Sequence, residues 1–142
     1  MEIYKNCIYG YPKSVDTGNK ISTFVEQFYT LAPGEKRKYA HTLVTDTDVF
    51  YHGHQIVHKN LNDSIWIRTK GWFSTATKRR LNAILKRHGL FLFKRDGDWY
   101  FSNGKYSIPY FEFTTKDGGL TNGYQWVSVD EVLQTFNKKG LT

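Results

Sequence analysis

Cysteine occurs once in this chain of 142 residues, at Cys7, so no intrachain disulfide can form. That usage is the one expected in a reducing cytoplasm. Long hydrophobic runs are also missing. No apolar stretch approaches the ~20 residues of a membrane span, and the N-terminus lacks the basic-then-apolar pattern of a secretory signal. The chain has no phosphate-binding loop, dinucleotide fingerprint or nucleophile elbow, so no cofactor and no catalytic residue is expected. The reading that follows is a cytoplasmic protein that is not an enzyme and has no membrane partner.

Acid is what the middle of the chain lacks. Between Lys59 and Lys105, eleven Lys or Arg face only Asp63, Asp96 and Asp98, a net of +8. The other 95 residues hold nine basic and ten acidic groups, so the formal +7 of the whole is a local property. Trp66, Trp72 and Trp99 lie in the same block. A cationic, aromatic-rich stretch points to a polyanion, most often nucleic acid or a ribonucleoprotein. Aromatic residues make up 17% of the chain. Because each buries a large area, a core can be built from few of them. The length fits one domain, 1–142, that buries roughly two-thirds of its unfolded surface.

Periodicity and turn chemistry outline the elements. Residues 1–19 read as irregular or weakly extended, with Gly10, Pro12 and Asp16-Thr17-Gly18-Asn19 as turn formers. Ile21, Phe24, Val25, Phe28 and Leu31 recur at helical spacing over 20–32, and Pro33-Gly34 ends that helix. Glu35-Lys36-Arg37-Lys38 reads as a charged turn or the start of a helical piece. Strands follow at 43–47, 49–51 and 55–58, with His52-Gly53-His54 as a tight turn. The segment 65–72 reads as a strand with Trp66, Arg68, Lys70 and Trp72 on one side. Ser74 or Thr75 caps a helix over 75–88, whose apolar stripe is Leu81, Ile84, Leu85 and His88, and Gly89 closes it. Strands at 90–93, 99–102 and 105–108 form a meander around Arg95-Asp96-Gly97-Asp98 and Asn103-Gly104. Strands at 110–114 and 124–129 precede a last helix with Val132, Leu133 and Phe136. The fold class is α+β, a mainly antiparallel sheet of about five to seven strands with two or three helices packed on it.

The helix at 75–88 carries Lys78, Arg79, Arg80, Lys86 and Arg87 and no acid. With the apolar stripe turned to the sheet, the five cations spread over the remaining arc, and Arg79 and Lys86 point furthest from the core. Like charges this dense repel, and the Lys78-Arg79-Arg80 triplet opposes the helix dipole. A bound anion would relieve both. Arg68 and Lys70 extend the same track, and Trp66 and Trp72 are candidates to stack bases or to pack under the helix.

His52, His54 and His58, with His41, Asp46 and Asp48 nearby, offer imidazole and oxygen ligands for a divalent metal and hence a metal-dependent hydrolase. The spacing matches no standard zinc signature. Trp99, Tyr100, Tyr110 and Trp126 are candidate anchors for a protein partner.

Residues 43–85 resemble small proteins of bacteriophages and related mobile elements. The likeness lies in Ile65-Trp66-Ile67-Arg68-Thr69, Trp72-Phe73-Ser74 and Thr75-Ala76-Thr77-Lys78-Arg79-Arg80-Leu81, with Ala76 departing from a paired-threonine pattern. The resemblance implies a phage accessory protein acting in the host cell. It extends to antagonists of host defence nucleases of the anti-CRISPR type, which implies a host protein as the alternative partner.

Overall fold

Local hydrogen-bonding chemistry sets most element boundaries in this structure, a computed structural model that describes residues 4–5 (backbone only), 20–110 and 126–142. In chain order the elements begin with β1 (Tyr4–Lys5) and α1 (Lys20–Glu26), which runs into a 3-10 turn at Gln27–Tyr29. Five strands follow, β2 (Lys36–Tyr39), β3 (Thr42–Thr45), β4 (Asp48–Tyr51), β5 (His54–Lys59) and β6 (Ile65–Ile67). Helix α2 (Thr75–Leu85) continues as a 3-10 turn at Lys86–His88. A meander of β7 (Phe91–Arg95), β8 (Asp98–Ser102) and β9 (Tyr106–Pro109) comes next. The chain closes with β10 (Val127–Ser128) and α3 (Val129–Lys138).

The class is α+β, as expected, and all strand pairs are antiparallel. The strands divide over two sheets, one of six in the order β10-β6-β5-β4-β3-β2 and one of four in the order β1-β9-β8-β7. A side chain explains why β7 ends its sheet. Leu92 N–H donates to Asn82 Oδ1 at 2.6 Å, and Asn82 Nδ2 donates to Leu92 C=O at 2.9 Å. The strand edge is thereby satisfied by a buried amide from α2.

Alternation along the six-stranded sheet separates two faces. Cross-strand partners Val44, Val49, Val57 and Ile67 form a fully buried row. Against this inner face lie Val25 and Phe28, Leu81, Ile84 and Leu85 of α2, and Val129, Val132 and Phe136 of α3. Leu90, just before β7, and Leu92, Trp99, Phe101 and Ile108 of the smaller sheet join the same core. Burial of each such side chain stabilises the fold by about 1.5–3 kcal/mol.

Serine hydroxyls cap both longer helices, the first at the Ser74 position that the sequence marks. Ser74 Oγ accepts from Thr77 N at 3.1 Å and Ser128 Oγ accepts from Glu131 N at 3.3 Å. The β7–β8 turn has Asp96 at φ 51° and Gly97 at φ 88°, the left-handed pair that a two-residue hairpin requires.

Three expectations change. The strand expected over 65–72 stops at Ile67, because Lys70 (φ 56°) and Gly71 (φ 87°) turn the chain. Trp66 and Trp72 therefore do not share one strand face. The charged segment after Pro33-Gly34 is a fully exposed edge strand, β2, rather than a turn or helix. The first helix shortens to α1 plus its 3-10 turn. The strand expected at 124–129 is present as β10, while residues 124–125, the strand expected at 110–114 beyond Tyr110, Cys7 and the turn formers of 1–19 lie outside the described residues.

Candidate nucleic-acid interface

Helix α2 forms where its sequence places it, yet it is packed on more sides than one apolar stripe implies. Eight of its eleven residues are buried, Lys78 and Arg80 among them. Arg80 is 4% exposed and fully engaged. Its guanidinium donates to Thr42 Oγ1 at 2.8 Å, Ala76 C=O at 2.9 Å and Ala40 C=O at 3.1 Å, and it stacks on Tyr51 at 3.8 Å. Lys78 sits 6.0 Å from the Trp99 ring, and burial together with Lys94 pushes its ammonium below the usual lysine range. These two side chains are corrections to the expected phosphate track: they hold the fold. Arg79 is half-buried. Lys86 and Arg87 remain exposed at the far end, Lys86 3.6 Å from Glu26 and Arg87 over the Tyr29 ring at 4.2 Å. The five cations of the helix do not form one surface.

The histidines also part company. Val49 pairs with Val57 but Phe50 pairs with Gln55, so Ile56 is an extra residue in β5. That bulge flips the alternation. His54 falls on the inner side, 5.3 Å from the Trp72 ring, and His58 falls on the outer side. His52 lies in the β4–β5 turn and stacks on His41 at 4.5 Å. No group of three or more metal-type ligands assembles among the described residues. The expected anchors Trp99, Tyr100 and Tyr110 are at most 9% exposed and belong to the interior.

What the structure does bring together is the outer face of the six-stranded sheet, which no described helix covers. Register places Lys38, Leu43, Phe50 and Gln55 in one row and Asp48, His58 and Trp66 in another, with Lys36 beside Thr45 at the edge. Arg68 follows Trp66 on this face. Its Nε donates to Gln55 C=O at 3.0 Å and its guanidinium lies 4.0 Å over the ring of Trp126. The His58 ring is 6.2 Å from the same indole. His58 Nδ1 is 2.8 Å from Asp48 Oδ1, which fixes the imidazole and turns Nε2 away from the carboxylate. Burial alone would raise the pKa of Asp48. Hydrogen bonds from Thr47, His58 and Gln55 outweigh it and hold the carboxyl below its ordinary range. The buried Nε1 of Trp66 has no hydrogen-bond partner among the described residues. Lys70 is exposed on the turn after β6, beside the exposed Trp72.

Of the seven sequence-predicted residues, Arg68 lies on this face and Lys70 on the turn that follows it. Lys36 and Lys38 were missed as site residues, because their run reads as a charged turn or helix start and the charge of the N-terminal third balances. The signal available was Lys36-Arg37-Lys38-Tyr39 after a Pro-Gly stop, followed by strands.

The architecture defines a small α+β protein whose six-stranded antiparallel sheet has helices on one face and, on the other, an aromatic, cationic face that no described helix covers. The chain belongs to the Kyanoviridae Gp96 protein family, whose model matches residues 31–126. It is therefore a phage protein, as the resemblance over 43–85 implied, and the match carries nothing about defence nucleases. No curated protein and no solved structure matches the chain. No helix among the described residues is long and apolar enough to cross a membrane.

Proposed function

We propose that this phage accessory protein binds single-stranded nucleic acid on the outer face of its six-stranded sheet, in the host cytoplasm and without catalysing a reaction. The observation that carries the reading is the Arg68–Trp126 stack at 4.0 Å, with oriented His58 beside it, on a face that no described helix covers. Guanidinium and indole planes stack with bases of any sequence, and each such contact is worth about 1–3 kcal/mol. Lys36 and Lys38 at the sheet edge and Lys70 at the β6 turn supply ammonium groups for the phosphates. The formal charge of +7 favours the same class of partner.

The test is fluorescence anisotropy with labelled DNA and RNA strands of about 12 nucleotides, a length within the range one sheet face accommodates. Simultaneous Lys36→Ala, Lys38→Ala and Arg68→Ala changes are expected to weaken binding by about 10- to 100-fold. They should also make the slope of log affinity against log salt shallower by about 2, near 0.7 for each cation lost. Lys86→Ala with Arg87→Ala should leave affinity within about twofold. A triple variant that binds like the wild type removes the sheet face from consideration. Loss of binding in the Lys86/Arg87 variant instead returns it to the helix.

A further inference from the structure

At one corner of the outer face the β2–β3 and β4–β5 turns lie side by side and enclose a hollow of about 480 Å³. Lys38, His41 and His52 stand around it, Leu43 and Phe50 form apolar wall, and no carboxylate is among its lining residues. The His41 and His52 rings are 4.5 Å apart and inclined by only 22°. His52 N–H donates to His41 C=O at 2.9 Å, which ties the two turns together.

The backbone here is held in a form that its residues do not favour. Ala40 (φ 50°), His41 (φ 59°) and His52 (φ 49°) all occupy the left-handed region without being glycine. Two-residue hairpin turns of this kind ordinarily carry Asn, Asp or Gly. Such conformations persist only where the surroundings over-determine them. Buried Arg80 supplies that constraint from the helix side by donating to Ala40 C=O at 3.1 Å and to Thr42 Oγ1 at 2.8 Å. The hollow is thus a preformed concavity, with an ammonium and two imidazoles at its rim, buttressed by an internal guanidinium.

We propose that this hollow is a subsite for the terminal phosphate of the bound strand. The inference rests on the sheet-face reading above and adds the polarity of the strand to it. Lys38, Leu43 and Phe50 of the Lys38–Leu43–Phe50–Gln55 row line the hollow, which sits at the turn end of β2, β3 and β4, where a strand running along the face reaches the limit of the sheet. A phosphomonoester end carries close to two charges at neutral pH, whereas an internal phosphodiester carries one. A rim of three nitrogen donors without a carboxylate discriminates between them by charge and by hydrogen-bond count.

The experiment compares one oligonucleotide sequence with a 5′-phosphate, a 3′-phosphate or hydroxyls at both ends. Affinities are measured on the wild type, on His41→Gln/His52→Gln and on Lys38→Ala, with folding checked by circular dichroism. One phosphorylated end should bind about tenfold more tightly than the hydroxyl strand, the size of one charge-assisted hydrogen bond. The histidine double variant should erase that difference while keeping affinity for the hydroxyl strand, and Lys38→Ala should reduce both. Equal binding of all three strands by the wild type overturns the subsite and leaves the sheet face standing. Absence of binding to any strand overturns both.

Discussion

Two runs of three cations, Lys36-Arg37-Lys38 and Lys78-Arg79-Arg80, look alike on the page and have opposite fates. The first lies on β2, where all three side chains are exposed. The second lies on α2, where two of the three are buried. An edge strand has sheet on one side only, so long charged side chains reach water from either face. A helix held between two sheets has little arc left for solvent, and its cations find carbonyls and rings instead. A charge run in a sequence therefore gives the field of the whole molecule, and only the packing of its element decides whether it is a surface.

Arg80→Ala is the strongest way to break this comparison. Removing it leaves the carbonyls of Ala40 and Ala76 without a charged donor and Tyr51 without its stacking partner. We expect a loss of about 2–4 kcal/mol in denaturant unfolding, since each buried acceptor left without its donor costs about 1–3 kcal/mol. Arg80→Lys should not restore it, because one ammonium cannot replace a three-way fork. Lys38→Ala should stay within about 0.5 kcal/mol, as exposed substitutions do. Comparable losses at Arg80 and Lys38 would show that the two runs are not different.

A smaller effect of opposite sign is expected at Lys78. Its ammonium is held in a poorly solvated position beside Trp99. Lys78→Met should leave stability unchanged or raise it by about 1 kcal/mol, since an apolar side chain of similar volume no longer needs desolvation. A clear loss on the same unfolding curve would mean that the ammonium makes a favourable contact.

The smallest expected effect is a pH dependence at the far end of the helix. His88 Nε2 lies 3.2 Å from Tyr29 Oη, and burial, which Asp130 offsets in part and Arg87 reinforces, lowers its pKa from the ordinary 6.5. The unfolded chain then takes up the proton first. The contribution is complete above the ordinary value and is lost as pH falls through it towards the folded one. Unfolding curves between about pH 7 and 5 should show stability declining, and His88→Phe should flatten the decline. An unchanged slope in the variant would assign the decline to other groups.

The sequence made legible whatever a short stretch decides alone. Ser74 before an apolar stripe and Gly89 after it mark α2, and Asp96-Gly97 marks a hairpin, because each acts through its own backbone. The β2–β3 turn was hidden because Ala40-His41 is not a turn dipeptide by composition. Its left-handed backbone is stabilised by Arg80, 40 residues away. The split between His54 and His58 was hidden for a similar reason, since a bulge at Ile56 is a property of strand pairing and not of β5 alone. Of the candidate site, Arg68 and Trp126 could be read as residue types. That they meet is a consequence of register between β6 and β10, which are separated by 59 residues of intervening chain.

The exposed run on β2 has one more consequence. As the last strand of its sheet, β2 turns a row of amide and carbonyl groups outward, an invitation for another copy to add itself edge to edge. Like charge at Lys36, Arg37 and Lys38 repels any such newcomer. Two of these side chains, Lys36 and Lys38, are the ones proposed to draw in a nucleic acid, so the charge that would attract that partner also opposes self-association through this edge.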